Sequence, residues 1–340
     1  MKKLTTSIFA AAAMLAFASG AQAQSVADFY KGKTVTIYIA FSPGGTYDLF
    51  GRMVARHIGK HIPGNPTVIG SNMPGAGGLT ATNFIFRSAP KDGTAMAIIT
   101  QNIAIEEALK NKAVQYKSNE FNWIGRATSN IEIHVLSTKS PGHTIEGARK
   151  HETPVASTGP GSPSDSYPRL LNATLGTKFK VVRGYPGSTD GLLAIERGEM
   201  DGALTSWNTM KSTRMNWLTE GRAVLPVQYT MKRSPELKNV PTAIELMTND
   251  ADRKLMTFAI SSAEVGRSFL APPGVPADRV QALRTAFNAT MKDPELLAEV
   301  QKAQLDFEPA TGEELAKIIA DTLAVDEATV ERMRKITTVE

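Results

Sequence analysis

Thr34-Val35-Thr36-Ile37-Tyr38-Ile39-Ala40, then Ser42-Pro43-Gly44-Gly45-Thr46, then Phe50, Met53, Val54, Ile58 and Ile62 at steps of three and four: this stretch decides the fold. The β-branched run reads as a strand, and the apolar spacing that follows reads as one face of a helix. The unit recurs. Thr67-Val68-Ile69 leads through Asn72-Met73-Pro74-Gly75-Ala76-Gly77-Gly78 to a helix from about Leu79. Residues 95–99 lead through Thr100-Gln101-Asn102 to a helix containing Ile105 and Leu109. Such alternation predicts an α/β protein.

After a crossover near 131–136 the pattern resumes. Val155-Ala156 precedes Ser157-Thr158-Gly159-Pro160-Gly161-Ser162 and a helix through Leu170, Leu171 and Leu175. Residues 179–182 precede Gly184-Tyr185-Pro186-Gly187-Ser188 and a further helix, and residues 202–204 lead to Thr205-Ser206-Trp207-Asn208. A returning strand is expected at 224–230, and late helices at 243–247, 278–291 and 313–320. The division expected is 24–130 with 228–340 as lobe I and 131–227 as lobe II. Two crossing segments would suit hinge motion about a cleft.

The 340 residues are 42% hydrophobic and 21% charged, the balance of a chain able to bury a core. The absence of cysteine excludes disulfides, thiolate metal sites and a cysteine nucleophile. Lys2 and Lys3 precede an apolar run over 8–18 that ends at Ala21-Gln22-Ala23. That is the pattern of a signal peptide over residues 1–23, with a run too short to span a bilayer, and it predicts a periplasmic protein beginning at Gln24. Removing those two lysines lowers the formal charge from +5 to +3, because residues 1–23 hold no Asp or Glu. The remaining charge is scattered in sign, which argues against nucleic acid as a partner.

In open α/β sheets, ligands bind beyond the carboxyl ends of strands, where helix starts offer free N–H groups. The glycines of Pro43-Gly44-Gly45 and of the 74–78 loop therefore read as backbone cradles for a small anion, or simply as tight turns. Asp48 and Arg52, one turn apart, read as loop-orienting residues. Tyr47, Tyr185 and Trp207 sit in loops, where packing against ligand and packing against protein are equally expected. No GxxxxGK[ST] motif occurs, GxGxxG is incomplete, and GxSxG is absent, so nucleotide binding and nucleophile-elbow hydrolysis lack their motifs. His57 and His61 stand four apart without the Glu of HExxH, and no metal or cofactor is expected.

Several motifs in shared order resemble those of the Bug-type substrate-binding proteins of tripartite tricarboxylate transporters. They are Phe41-Ser42-Pro43-Gly44-Gly45-Thr46-Tyr47-Asp48 through Arg52, the 72–78 run, Pro90-Lys91-Asp92-Gly93-Thr94, Gly198-Glu199-Met200-Asp201-Gly202 and Ala271-Pro272-Pro273-Gly274-Val275-Pro276. The resemblance implies a two-lobed, periplasmic-binding-protein-like fold with a ligand cleft between lobes, no catalysis, and a small carboxylate held by loops and water without a dedicated cationic clamp. It implies integral-membrane permease subunits as partners, and a monomer is expected. Carried over by position, first-lobe contacts fall on Ser42, Gly44, Gly45, Thr46, Tyr47, Met73, Gly75, Ala76, Gly77, Gly78 and Thr100. Second-lobe contacts fall on Thr158, Gly159, Gly161, Ser162, Tyr185, Gly187, Ser188 and Trp207. Tyr47 stands where the family often has Ser or Thr, and Thr205 where Asp is frequent, which points to an aromatic or otherwise bulky carboxylate. The other functions considered are a secreted hydrolase or lyase on the same frame, and a ligand-sensing module for a signalling partner.

Overall fold

The first strand, β1 (Thr34–Ile39), alternates burial as a half-covered strand should, with Val35, Ile37 and Ile39 inside. The computed structural model describes residues 24–337; the expected signal peptide lies outside the described residues. Strands β2 (Thr67–Asn72) and β3 (Ala95–Ile98) flank β1 in parallel. Strand β4 (Asn122–Arg126) joins the same sheet together with β11 (Ser268–Ala271) and β12 (Ala310–Thr311) from late in the chain. The sheet order is β12-β4-β11-β3-β1-β2, and β11 runs antiparallel to β3 and β4. The helix Thr46–Ile58 covers it with Phe50, Met53, Val54 and Ile58, all buried in one cluster with Ile37, Ile39 and Phe269.

A second sheet is built from β5 (Glu132–Ser137), β6 (Thr153–Ser157), β7 (Phe179–Arg183), β8 (Gly202–Ser206), β9 (Ala223–Val224) and β10 (Gln228–Tyr229). Its order is β10-β5-β8-β6-β7, with β9 also on β5. The parallel core β7-β6-β8 carries the helices Pro163–Leu175 and Ser188–Glu196 in its connections, as the strand-loop-helix reading required. The expected strand over 224–230 is two short strands, because Pro226 between them supplies no N–H to a ladder.

Late in the chain the sequence reading needs correction. Residues 243–246 form a turn, closed when Thr242 N donates to Glu245 and Glu245 N donates to Thr242 Oγ1. The helix comes afterwards, at Asp250–Ser261, where Asn249 Oδ1 takes Asp252 N at 2.9 Å as an N-cap. Helices Pro294–Lys302 and Glu327–Thr337 were likewise not anticipated. Packing also moves the lobe limit. Strand β10, Ala243, Met247 and Leu255 share a buried cluster with Tyr167 and Leu170 of the second lobe, and so do Val330 and Met333 of the last helix. Thus 228–261 and 327–337 belong to the second lobe by their cores, although 228–340 was expected in the first. The chain passes between lobes at 127–131, at 262–267 and again at 324–326.

Candidate functional site

The loops leaving β1, β6, β7 and β8 at their carboxyl ends meet around a cavity of about 50 Å³. That is room for a few waters or one compact ligand in this closed arrangement. Three helices begin at its wall, Thr46–Ile58, Pro163–Leu175 and Ser188–Glu196. Their N-caps, Gly45, Ser162 and Gly187, make no side-chain capping bond. No capping side chain therefore occupies these helix starts, although Thr46 N is held by Thr209 and Pro163 carries no N–H, and the three dipoles favour an anion. Hydroxyls supply much of the polar wall: Ser42, Thr46, Thr158, Ser162, Ser164, Ser188, Thr205 and Ser206, beside Phe41, Pro163 and Leu204.

The lobes touch directly around this cavity. Ser42 Oγ donates to Asp190 at 2.5 Å, and Thr46 N donates to Thr209 Oγ1 at 3.2 Å. Thr46 Oγ1 also lies 2.9 Å from Ser206 Oγ.

The expected site residues separate into two groups. Ser42, Gly45, Thr46, Tyr47, Thr158, Ser162, Gly187 and Ser188 line the cavity. The 74–78 loop is instead a clasp. Gly77 N donates to Thr158 O at 2.8 Å, and a Cβ on Gly77 would stand 2.5 Å from Pro160 O and 2.7 Å from Gly159 O. Thr100 extends the clasp by donating to Gly161 O, and Gly78 packs on Thr100. The glycines here allow lobe to approach lobe, so Gly75, Ala76, Gly77, Gly78, Thr100, Gly159 and Gly161 lie outside the cavity wall. Met73 packs by Phe41 and Ala40, and Gly44 N is held by Asp48. Asp48 is buried and also takes Arg52 Nε at 2.8 Å and Asn72 Nδ2 at 2.9 Å, which fixes the first loop against β2. Tyr185 and Trp207 pack in the second-lobe core; Trp207 Nε1 donates to Glu236, and the Lys211 ammonium sits over its ring.

Sequence reasoning missed the two charges in the wall, Arg267 and Glu132. Arg267 is 2% exposed and donates from Nε and Nη2 to Thr46 Oγ1, from Nη1 to Gln101 Oε1 and from Nη2 to Asn130 Oδ1. Its guanidinium lies 4.0 Å above the Tyr47 ring, whose hydroxyl accepts Gln101 N. Tyr47 therefore stacks on a cation, and a guanidinium lines the cavity where the resemblance implied no dedicated cationic clamp. Glu132 accepts from Asn130 Nδ2; burial pushes its carboxyl up from the ordinary range, with Arg267 and Asn130 pulling the other way. The available signal was each charge's setting: Glu132 between Ile131 and Ile133, and Arg267 one residue before a buried strand.

Among the described residues no histidine lines the cavity. His57 and His61 pair with Glu299 and Asp293 on the first lobe's flank. There His57, Asp293 and Glu295 cluster closely, but the Lys60 ammonium already sits 2.7 Å from both carboxylates.

Comparison with known proteins agrees with this architecture. A protein of the UPF0065 group from the TAR-I ttuE-ttuC' intergenic region of Agrobacterium vitis is 28% identical over 325 residues, covering 93% of this chain and 86% of its own. The periplasmic binding protein BugD superposes with a TM-score of 0.73 at 20% identity, over 90% of this chain and 98% of its own. MatC of Rhodopseudomonas palustris, solved with bound malate, superposes at 0.68 and 20% identity, over 90% and 99%. With the model of the tripartite tricarboxylate transporter family receptor, TctC, matching residues 50–334, the chain belongs to that receptor family.

Proposed function

We propose that the protein is the periplasmic receptor that captures a small organic carboxylate, closes its lobes on it and presents it to integral-membrane permease subunits. The observation that carries this reading is the convergence of three helix starts without a capping side chain and a buried arginine on one cavity between the lobes. Both features lower the energy of a bound anion. Permease partners follow from the receptor family, and none of the described helices is long and apolar enough to cross a membrane. The mature chain, beginning at Gln24, works as a monomer whose opening releases ligand.

The test is a thermal-shift panel of mono-, di- and tricarboxylates on the mature protein, with mass spectrometry of denatured extracts for retained acid and for product. A ligand at about 100-fold over its dissociation constant adds roughly 2.7 kcal/mol and raises Tm by a few degrees. We expect a selective shift by a carboxylate without turnover. No shift with any acid, and no acid retained, overturns the reading.

A further inference from the structure

The cavity holds one cation and one carboxyl, and they are not paired directly. Arg267 makes its four hydrogen bonds to neutral oxygens of Thr46, Gln101 and Asn130. A guanidinium has five N–H donors, so one on Nη1 is left over. Glu132 receives a donor from Asn130 alone among the described residues, leaving acceptor capacity on the cavity side. Thr205 adds a buried hydroxyl, 1% exposed, that lines the cavity and has no partner among the described residues. A buried cation that bonds no carboxylate directly and a buried hydroxyl without a partner are both costly, and a ligand that supplies the missing groups relieves both.

We propose, resting on the carboxylate-receptor reading, that this site selects a compact monocarboxylate carrying a hydroxyl or similar donor, and discriminates against dicarboxylates. Arg267 and the helix starts balance the single ligand carboxylate. Glu132 and Thr205 take the donor end. A second carboxylate at that end meets Glu132 in a dry wall, where like-charge contact is strongly unfavourable. Orientation is fixed by the frame: Arg267 N donates to Thr128 O, and Ala127 N donates to Arg267 O, so the arginine is bolted to the segment that carries Asn130 and Glu132. Gly266, at φ 53°, makes that approach, since a Cβ there would lie 2.2 Å from Thr128 O.

Matched pairs of acids that differ only by a methyl in place of a carboxylate test this directly: 3-hydroxybutyrate against malate, and butyrate against succinate, by titration calorimetry on the mature protein. We expect 3-hydroxybutyrate to bind at least about tenfold more tightly than malate, with butyrate weaker than its hydroxylated relative. Glu132→Gln, which keeps the acceptor and removes the charge, should narrow the 3-hydroxybutyrate to malate ratio by about tenfold. Arg267→Gln should weaken every acid by about tenfold or more, with Arg267→Lys recovering part of the loss; a melting curve on each variant separates misfolding from lost binding. Malate binding more tightly than 3-hydroxybutyrate in the parent, or a ratio unchanged in Glu132→Gln, overturns the selectivity and leaves the receptor intact. No binding by any of the four acids overturns the selectivity as well, and the receptor reading then falls only if the wider carboxylate panel also gives no shift and no retained acid.

Discussion

Glu106 shows how a single buried carboxyl writes itself into the stability curve. It sits in the first turn of the short helix Ile103–Ala108, almost fully buried, and burial raises its pKa to about 7 despite a hydrogen bond from Asn111 Nδ2, with Asp165 adding to the rise. The folded protein therefore holds this proton more tightly than the unfolded chain, whose carboxyl has its ordinary value near 4.5. Stability from this group is fully present below about pH 4.5 and falls as pH rises through about 7. His134 acts in the opposite sense, since burial drops its pKa to about 3 and favours the fold as pH rises toward 6.5. The difference between parent and Glu106→Gln is thus the informative quantity. The variant should gain stability relative to the parent between pH 5 and 8, by about 1–3 kcal/mol, read from denaturant melts across that range. A difference independent of pH would show that Glu106 does not titrate there. At this scale the sequence spoke faintly: Glu132 lies between two isoleucines and Arg267 one residue before a buried strand, but no local pattern says that the fold will strip water from them or from Glu106. Arg267 reaches Thr46 across 221 positions of chain.

Secondary-structure elements were far more legible, because their signals are local. The alternation in 34–39 and the three-four spacing after Thr46 give β1 and its helix almost to the residue. The glycine loops were legible but the work of each glycine was not, since a glycine that admits an anion and one that admits another backbone look alike in sequence. Helix Asp250–Ser261 was passed over for the single turn before it. Its start rests on Asn249, whose side chain both accepts Asp252 N and donates to the Asp252 carboxylate. Asn249→Ala should cost about 1 kcal/mol, seen as a lower urea midpoint with an unchanged slope, and no loss would mean that packing alone sets the helix start. The effect should stay in the second lobe's core, where Leu255 and Met256 are buried.

For the whole molecule, the meeting of 74–78 with 158–162 governs how readily the lobes close. Gly77 has φ 65°, and any side chain there meets the carbonyls of Gly159 and Pro160 while the lobes are together. Gly77→Ala should therefore shift the population toward open molecules: a larger radius of gyration by X-ray scattering without ligand, and about tenfold weaker carboxylate binding, although Gly77 lies outside the cavity. An unchanged radius and affinity would remove the clasp from the closing step. Both lobes and their order could be anticipated from the repeated strand-loop-helix units. The ownership of 228–261 and 327–337 could not, because only three-dimensional packing assigns those helices to a core.

The last helix has a mechanical consequence. Because Glu327–Thr337 packs against Pro163–Leu175 and Asp250–Ser261, the lobes are joined by three strips of chain at 127–131, 262–267 and 324–326. A plate hung on one strap twists freely, whereas each further strap restricts the twist. Motion of that restricted kind brings the same loops back into register at every closure, so the geometry around the ligand is repeatable from one capture to the next.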